Sequence, residues 1–358
     1  MNEERLEKSR KQAQDKGIDC LIFVPGVNLF YLSGLKMELS ERVTLVGIPV
    51  DHDPFAMCPL FEMERVTSNT GITNIFSYKD DEGPLFALQS VLSDKRGQVF
   101  GVEFRYTRLL EWDLMRRCLG EVKIRNIDPI LANQRSIKDP QELKIMERAA
   151  QIADVAAEAG IKAVQPGISE THIVSVVERT IKKNGGDGYL LVASGTRSMV
   201  PHAKATDKII KEGEIIWIDI VVSYENYVAD ITRSCFAGTP DPELLKIYKI
   251  VLEAQERGRT KAKPGMTGAE IDALCRDYIT EAGYGEYFSH RTGHGIGLEV
   301  HEEPYIVKNN QSKLEPNMTF TIEPGIYLAG KGGVRIEDDV VLTHDGVRSL
   351  TNFKRDFI

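Results

Sequence analysis

No stretch of this sequence approaches the ~20 consecutive apolar residues that a membrane-spanning helix needs. No dense basic run accompanies its net charge of -8. The first absence excludes a helical membrane protein. The second argues against nucleic acid as the main partner. Cysteine is sparse and scattered: the five lie at 20, 58, 118, 235 and 275, with no CxxC pair. A disulfide framework is therefore not expected, and a reducing cytoplasm is the default location. Residues Met1 to Gly17 are charged and helix-like, without the apolar core of a signal peptide.

What is present suits a globular protein of two domains: 358 residues, 42% hydrophobic and 27% charged. The first part alternates. Glu3 to Lys16 reads as a helix, Ile18 to Val24 as a strand, and Asn28 to Gly34 as a short helix and turn. Strands are expected over 44–50, 53–60 and 98–103, and helices over 86–92 and 107–118. His52, between Asp51 and Asp53, reads as a solvated turn rather than a metal site. This gives an α/β domain over 1–128. Asp128-Pro129 and Asp139-Pro140 bracket a linker over 129–138, and a second domain occupies 139–358.

Asp139 is placed to cap a long helix, Gln141 to Val164, with Pro140 at its first position. A helix from Ser169-Glu170 to Lys183 follows. A second helix pair covers 241–263 and 268–282. Lys263-Pro-Gly-Met-Thr echoes Gln165-Pro-Gly-Ile-Ser, so the domain contains a quasi-repeat. Each half leads into a hairpin that carries carboxylates.

In the first hairpin Asp219 and Asp230 lie eleven apart, with their midpoint between Tyr224 and Glu225. Residues equidistant from a turn face one another, which would put these Cβ atoms about 4.5–5.5 Å apart. In the second, Glu323 and Glu337 are centred on Gly330, inside a glycine-rich turn. Facing carboxylates among apolar neighbours repel, and a bound cation resolves the repulsion. Three of the seven histidines, His290, His294 and His301, cluster just before the second hairpin. Four carboxylates and His294 match two divalent cations, and such a set suits Mn²⁺, Fe²⁺, Co²⁺ or Zn²⁺ better than a thiolate-seeking metal. Paired metals can activate a bridging water.

The motifs Ala193-Ser-Gly-Thr-Arg-Ser-Met-Val-Pro-His202, Asp219…Asp230-Ile-Thr-Arg233, Gly293-His-Gly-Ile-Gly297, Val300-His-Glu302, Thr321-Ile-Glu-Pro-Gly325 and Val334-Arg-Ile-Glu-Asp338 resemble the creatinase/prolidase family. These are the pita-bread metallopeptidases that include methionine aminopeptidase. Gly17-Ile-Asp-Cys-Leu-Ile22 and Asn28-Leu-Phe-Tyr-Leu-Ser-Gly34 are similar to the family's N-terminal domain, so the resemblance covers nearly the whole chain. It implies a creatinase-like α/β domain followed by an α+β pita-bread domain. The activity implied is hydrolysis of the bond before proline in Xaa-Pro dipeptides or short peptides, by a homodimer. It implies Asp219, Asp230, His294, Glu323 and Glu337 as ligands of two metal ions. His301 would steady the tetrahedral intermediate, His202 would stand near the scissile bond, and Glu323 would also shuttle a proton. His290 would line the pocket and Arg335 would orient substrate.

Three positions depart from the family pattern. Val221 stands where many prolidases have Gly, and Ala229 where Ser is usual. Tyr305 stands where several dipeptidases have an Arg that helps to hold the dipeptide carboxylate. Two other readings compete: a metal-dependent hydrolase of another small amide, and a non-catalytic binding protein. The complete ligand set argues against the second.

Overall fold

The computed structural model describes residues 1–95 and 97–357. The chain divides into two compact units, Met1–Arg135 and Ser136–Ile358.

The first unit is built on a mixed six-stranded sheet. Its strands are β1 (Cys20–Phe23), β2 (Leu45–Pro49), β3 (Phe55–Pro59), β4 (Asn74–Tyr78), β5 (Val99–Val102) and β6 (Lys123–Asn126), in the order β4-β3-β2-β1-β5-β6. The central strands are the apolar runs that the sequence betrays, and every residue of β1, β2 and β3 is buried. β4 and β6 are the sheet's edges and are largely exposed or half-buried. With no apolar run, they escape a reading by hydrophobic pattern. The stretch expected as a linker is instead mostly a helix, Asp128–Ser136. The two Asp-Pro steps are helix starts: Asp128 and Pro140 are the first residues of their helices.

The second unit opens with the helix Pro140–Ala163. Asp139 accepts from the amides of Gln141 and Glu142, and Glu142 reaches back to the Asp139 amide. This helix and Glu170–Lys183 cover a sheet of β7 (Asp187–Ser194), β8 (Ile215–Tyr224) and β9 (Tyr227–Phe236). The helices Pro242–Lys261 and Gly268–Glu281 belong to a second apolar core. That core includes Phe320, Ile322, Val340 and Leu342, from strands of a five-stranded sheet. The sheet contains β10 (Gly293–Gly295), β11 (Glu302–Ile306), β12 (Thr319–Ile322), β15 (Asp338–Leu342) and β16 (Val347–Ser349). β13 (Gly325–Leu328) and β14 (Gly332–Arg335) form a separate ribbon.

The quasi-repeat is physical. Gly167 donates to the Ile210 carbonyl at 2.9 Å, and Gly265 to the Leu314 carbonyl at 2.8 Å. Ser169 bridges to Ile209 as Thr267 does to Lys313, and both hydroxyls cap the helix that follows. Six residues before each Pro-Gly step stands a helical glycine in a tight contact. A Cβ on Gly160 would lie 2.8 Å from Val177, and one on Gly258 would lie 2.6 Å from the Cys275 sulfur and 2.8 Å from Ile322. Close approach of the two helices of each pair depends on that missing methyl.

Gly258→Ala should therefore destabilise the protein, although alanine is the better helix former. Overpacking of this kind costs about 1–3 kcal/mol. Chemical denaturation of the variant checks it, and stabilisation would contradict the packing account.

Candidate active site

The first hairpin turns on Glu225 and Asn226, whose φ values are 46° and 70°. Positive φ at both turn positions is the signature of a tight two-residue hairpin turn that suits the twist of the strands. Tyr224 therefore pairs with Tyr227, Asp219 with Thr232, and Val221 with Asp230. The expected direct pairing of Asp219 with Asp230 is corrected to a diagonal one. The true centre lies one residue later than the carboxylate midpoint, so the partner shifts by two and both carboxylates keep one face.

In the second hairpin Ile322 pairs with Asp338 and Gly325 with Arg335. Glu323 and Glu337 fall in the same register, at the break between the two ladders. Pro324 follows Glu323 and has no N–H to continue the ladder.

Oxygen or nitrogen atoms of Asp230, His294 and Glu337 lie within 4.8 Å of one another, all in buried residues. Glu323 joins them through His294, whose Nε2 stands 3.2 Å from its Oε1. The Nδ1 of His294 is 3.1 Å from the Gly295 carbonyl, which only accepts, so Nδ1 carries a proton. Two acceptors, an imidazole nitrogen and a carboxylate, then face each other across 3.2 Å. Only a proton or a metal cation between them makes that contact favourable. Asp230 Oδ1 is buried without a hydrogen-bond partner among the described residues. Burial, then the charges of Glu337 and Asp219, push Asp230 well above the usual carboxylate range. Burial, then Glu323 and Asp219, do the same to Glu337. Burial also pushes Glu323 upward, but the hydrogen bond and charge of His294 outweigh it and leave Glu323 at about 2. Carboxylates that resist ionisation beside an imidazole fit divalent cations of the oxygen- and nitrogen-seeking kind.

Asp219 is paired with Arg335, whose Nη2 lies 2.5 Å from Oδ2. Arg335 is buried against the Trp217 ring and donates also to Thr232 Oγ1, Tyr327 OH and the Pro201 carbonyl. All three of its side-chain nitrogens are thus given to protein acceptors. Arg335 ties Asp219 to the second hairpin. Thr232, directly across from Asp219, donates to Glu337 at 2.6 Å. The sequence reading missed Thr232, and the correct register was the signal that would have found it.

The histidines differ in setting. His290 Nδ1 donates to the Arg291 carbonyl at 2.8 Å, so Nε2 accepts from Tyr327 OH at 3.0 Å. Burial lowers its proton affinity. His301 packs edge-on to His294, with ring centres 4.3 Å apart. Burial, then the positive charges of His294 and Arg291, pull it down to about 4. His202 is exposed, on the loop that follows Gly195–Met199. That loop is pinned by Trp217, whose indole N–H donates to the Ser198 carbonyl, and by Arg335 at Pro201. Tyr305 lies on β11, with the Arg291 guanidinium 4.8 Å above its ring.

Comparison with known proteins agrees with this geometry. Residues 144–344 match the metallopeptidase family M24, and residues 5–137 match the creatinase/prolidase N-terminal domain. The chain is 37% identical over 359 residues to an Xaa-Pro dipeptidase of Pyrococcus furiosus, covering 99% of each. Its fold is similar to a prolidase from Thermococcus sibiricus, with a TM-score of 0.93 and 33% identity over 100% of this chain and 99% of that one. An X-Pro aminopeptidase from Thermotoga maritima gives 0.85 and 34%, covering 99% of each.

Neutralising one of the repelling carboxylates should stabilise the metal-free protein. Asp230→Asn is expected to raise the melting temperature in chelator, by an amount worth about 1–3 kcal/mol. The rise in melting temperature on adding Mn²⁺ should shrink or vanish. A fall in chelator with an unchanged response to Mn²⁺ would mean that Asp230 is not part of a cation site.

Proposed function

The chain belongs to metallopeptidase family M24, and from that premise we propose that it hydrolyses the peptide bond before proline in Xaa-Pro dipeptides and short peptides. The observation that carries this reading is the buried meeting of His294 with Glu323, Asp230 and Glu337, a donor set that calls for cations. Relatives named as Xaa-Pro dipeptidase and X-Pro aminopeptidase support the substrate class. Asp219, Asp230, His294, Glu323 and Glu337 would hold two divalent ions, Mn²⁺ or Co²⁺ by preference. When bound, such ions supply Lewis-acid polarisation of the scissile carbonyl and acidify a water. The working form would be a cytoplasmic homodimer, for which the family resemblance is the support.

The side chains have separable tasks. His301, at about 4, is a neutral imidazole at pH 7. It can donate one N–H to the oxygen that gains charge as the carbonyl carbon becomes tetrahedral. A neutral donor keeps its proton through the step and adds no charge to repel the neighbouring cations. Glu323 accepts the proton from the attacking water and hands it to the departing proline nitrogen. Its affinity of about 2 depends on a hydrogen bond from His294. His290, fixed by Arg291 and Tyr327, lines the pocket wall, and His202 approaches from the exposed loop.

Metal-loaded protein should cleave Leu-Pro and contain about two divalent ions per chain. No turnover of any Xaa-Pro compound by such protein would sink the proposal. His301→Ala should lower kcat by about 10²–10³ and leave the metal content unchanged. Loss of metal in that variant would make His301 a ligand instead.

A further inference from the structure

Arg335 and Arg276, two guanidinium groups that reach this site's framework, are both spent. Arg335 serves Asp219, Thr232, Tyr327 and Pro201. Arg276 donates to Asp272 and to the carbonyls of Phe288 and His290. Arg291 is different. It stands between His290 and Thr292, within three residues of His294, and is half-buried. Among the described residues no carboxylate, carbonyl or hydroxyl accepts a hydrogen bond from its guanidinium. Its guanidinium lies over the half-buried Tyr305, whose ring centre is 4.8 Å from its central carbon. Its charge also reaches His301, where it helps to hold proton affinity down.

A guanidinium lying over an aromatic ring keeps its N–H edge free, and that planar edge matches a carboxylate. Tyr305 cannot bring a positive charge to the site. It can hold the plane of one that comes from the neighbouring loop. We infer that Arg291, steadied by Tyr305, is the residue that recognises a substrate carboxylate. That carboxylate is either the free chain terminus of an Xaa-Pro dipeptide or an acidic side chain before the proline. The inference rests on the Xaa-Pro reading above and names its specificity residue. It also changes what Tyr305 does, from an absent cation to the platform of a present one.

The test compares wild type with Arg291→Ala on Leu-Pro, Leu-Pro amide and Glu-Pro amide. The first carries a terminal carboxylate, the second none and the third a side-chain carboxylate. Arg291→Ala should raise KM for a carboxylate-bearing substrate about 10-fold or more, the scale of a lost charge-assisted hydrogen bond. It should leave kcat within about 3-fold and Leu-Pro amide unaffected, because the residue binds and does no chemistry. Loss confined to Leu-Pro identifies the chain terminus, and loss confined to Glu-Pro amide identifies the side chain. Equal changes on all three compounds, or none, would overturn the inference while leaving the Xaa-Pro activity standing. If wild type cleaves none of them, the activity itself is refuted. Calorimetric titration of metal-free protein with the same compounds then decides Arg291 separately. Wild type should bind a carboxylate-bearing compound in preference to Leu-Pro amide, and Arg291→Ala should not. Absence of that preference in wild type, or its persistence in the variant, overturns the assignment.

Discussion

Like charges cannot sit together in a low-dielectric interior unless something of opposite sign joins them, and the second unit is built around that constraint. Asp230 and Glu337 are buried with Glu323 close by; besides burial, the charges of Glu337 and Glu323 raise the cost of ionising Asp230, and that of Glu323 the cost of ionising Glu337. His294, facing Glu323 at 3.2 Å, offsets part of this charge. Among the described residues Asp230 Oδ1 has no hydrogen-bond partner. Isolated buried ions cost several kcal/mol each. A donor set arranged in this way calls for a cation.

An unfavourable arrangement persists only if its surroundings hold it in place. Behind the carboxylates lies a second charged layer, and this one is densely hydrogen-bonded. Arg233, completely buried, meets Asp338 and donates to the carbonyls of Thr232, Glu337, Phe353 and Lys354. Asp338 also accepts from Gln255, Thr351 and Arg355. These bonds join β9, β15, the helix Pro242–Lys261 and the C-terminal segment. Asp339 in turn takes the backbone N–H of Asp230 at 2.8 Å. The backbone around the ligands is thereby fixed from behind, and the side chains in front carry the strain.

Much of this could be read from the sequence because it is periodic or local. The caps at Asp139 and Ser169, the apolar central strands and the twin Pro-Gly steps all leave short-range marks. The second hairpin declares its centre at Gly330. The first misleads, because its carboxylates are not symmetric about its turn, and Glu225-Asn226 is a weaker turn signal than Asn-Gly. What could not be read is the partner choice of long side chains. Arg335 could face a substrate or a neighbour equally well on spacing alone. Only the packing of Trp217, Tyr327 and Pro201 around it makes the choice. Arg291 was invisible for the converse reason: nothing in a sequence marks an arginine whose guanidinium meets a ring and, among the described residues, no hydrogen-bond acceptor.

The duplicated scaffold also explains why the two hairpins have different work. In the first, the ladder runs unbroken through both carboxylates, since β8 and β9 pair from Ile215 to Tyr224. Asp219 and Asp230 therefore project from a continuous sheet, which suits groups that hold position. In the second, the ladder stops on either side of Glu323 and Glu337. Pro324 enforces the break on one strand, and the Glu337 amide turns to the Thr232 carbonyl at 3.1 Å on the other. Glutamates at a gap have a longer side chain and a backbone freed from the ladder. Glu323 can then meet His294 on one side and the space before His301 on the other. Two copies of one helix-and-hairpin plan thus present one carboxylate pair from an unbroken ladder and one from a gap between two ladders.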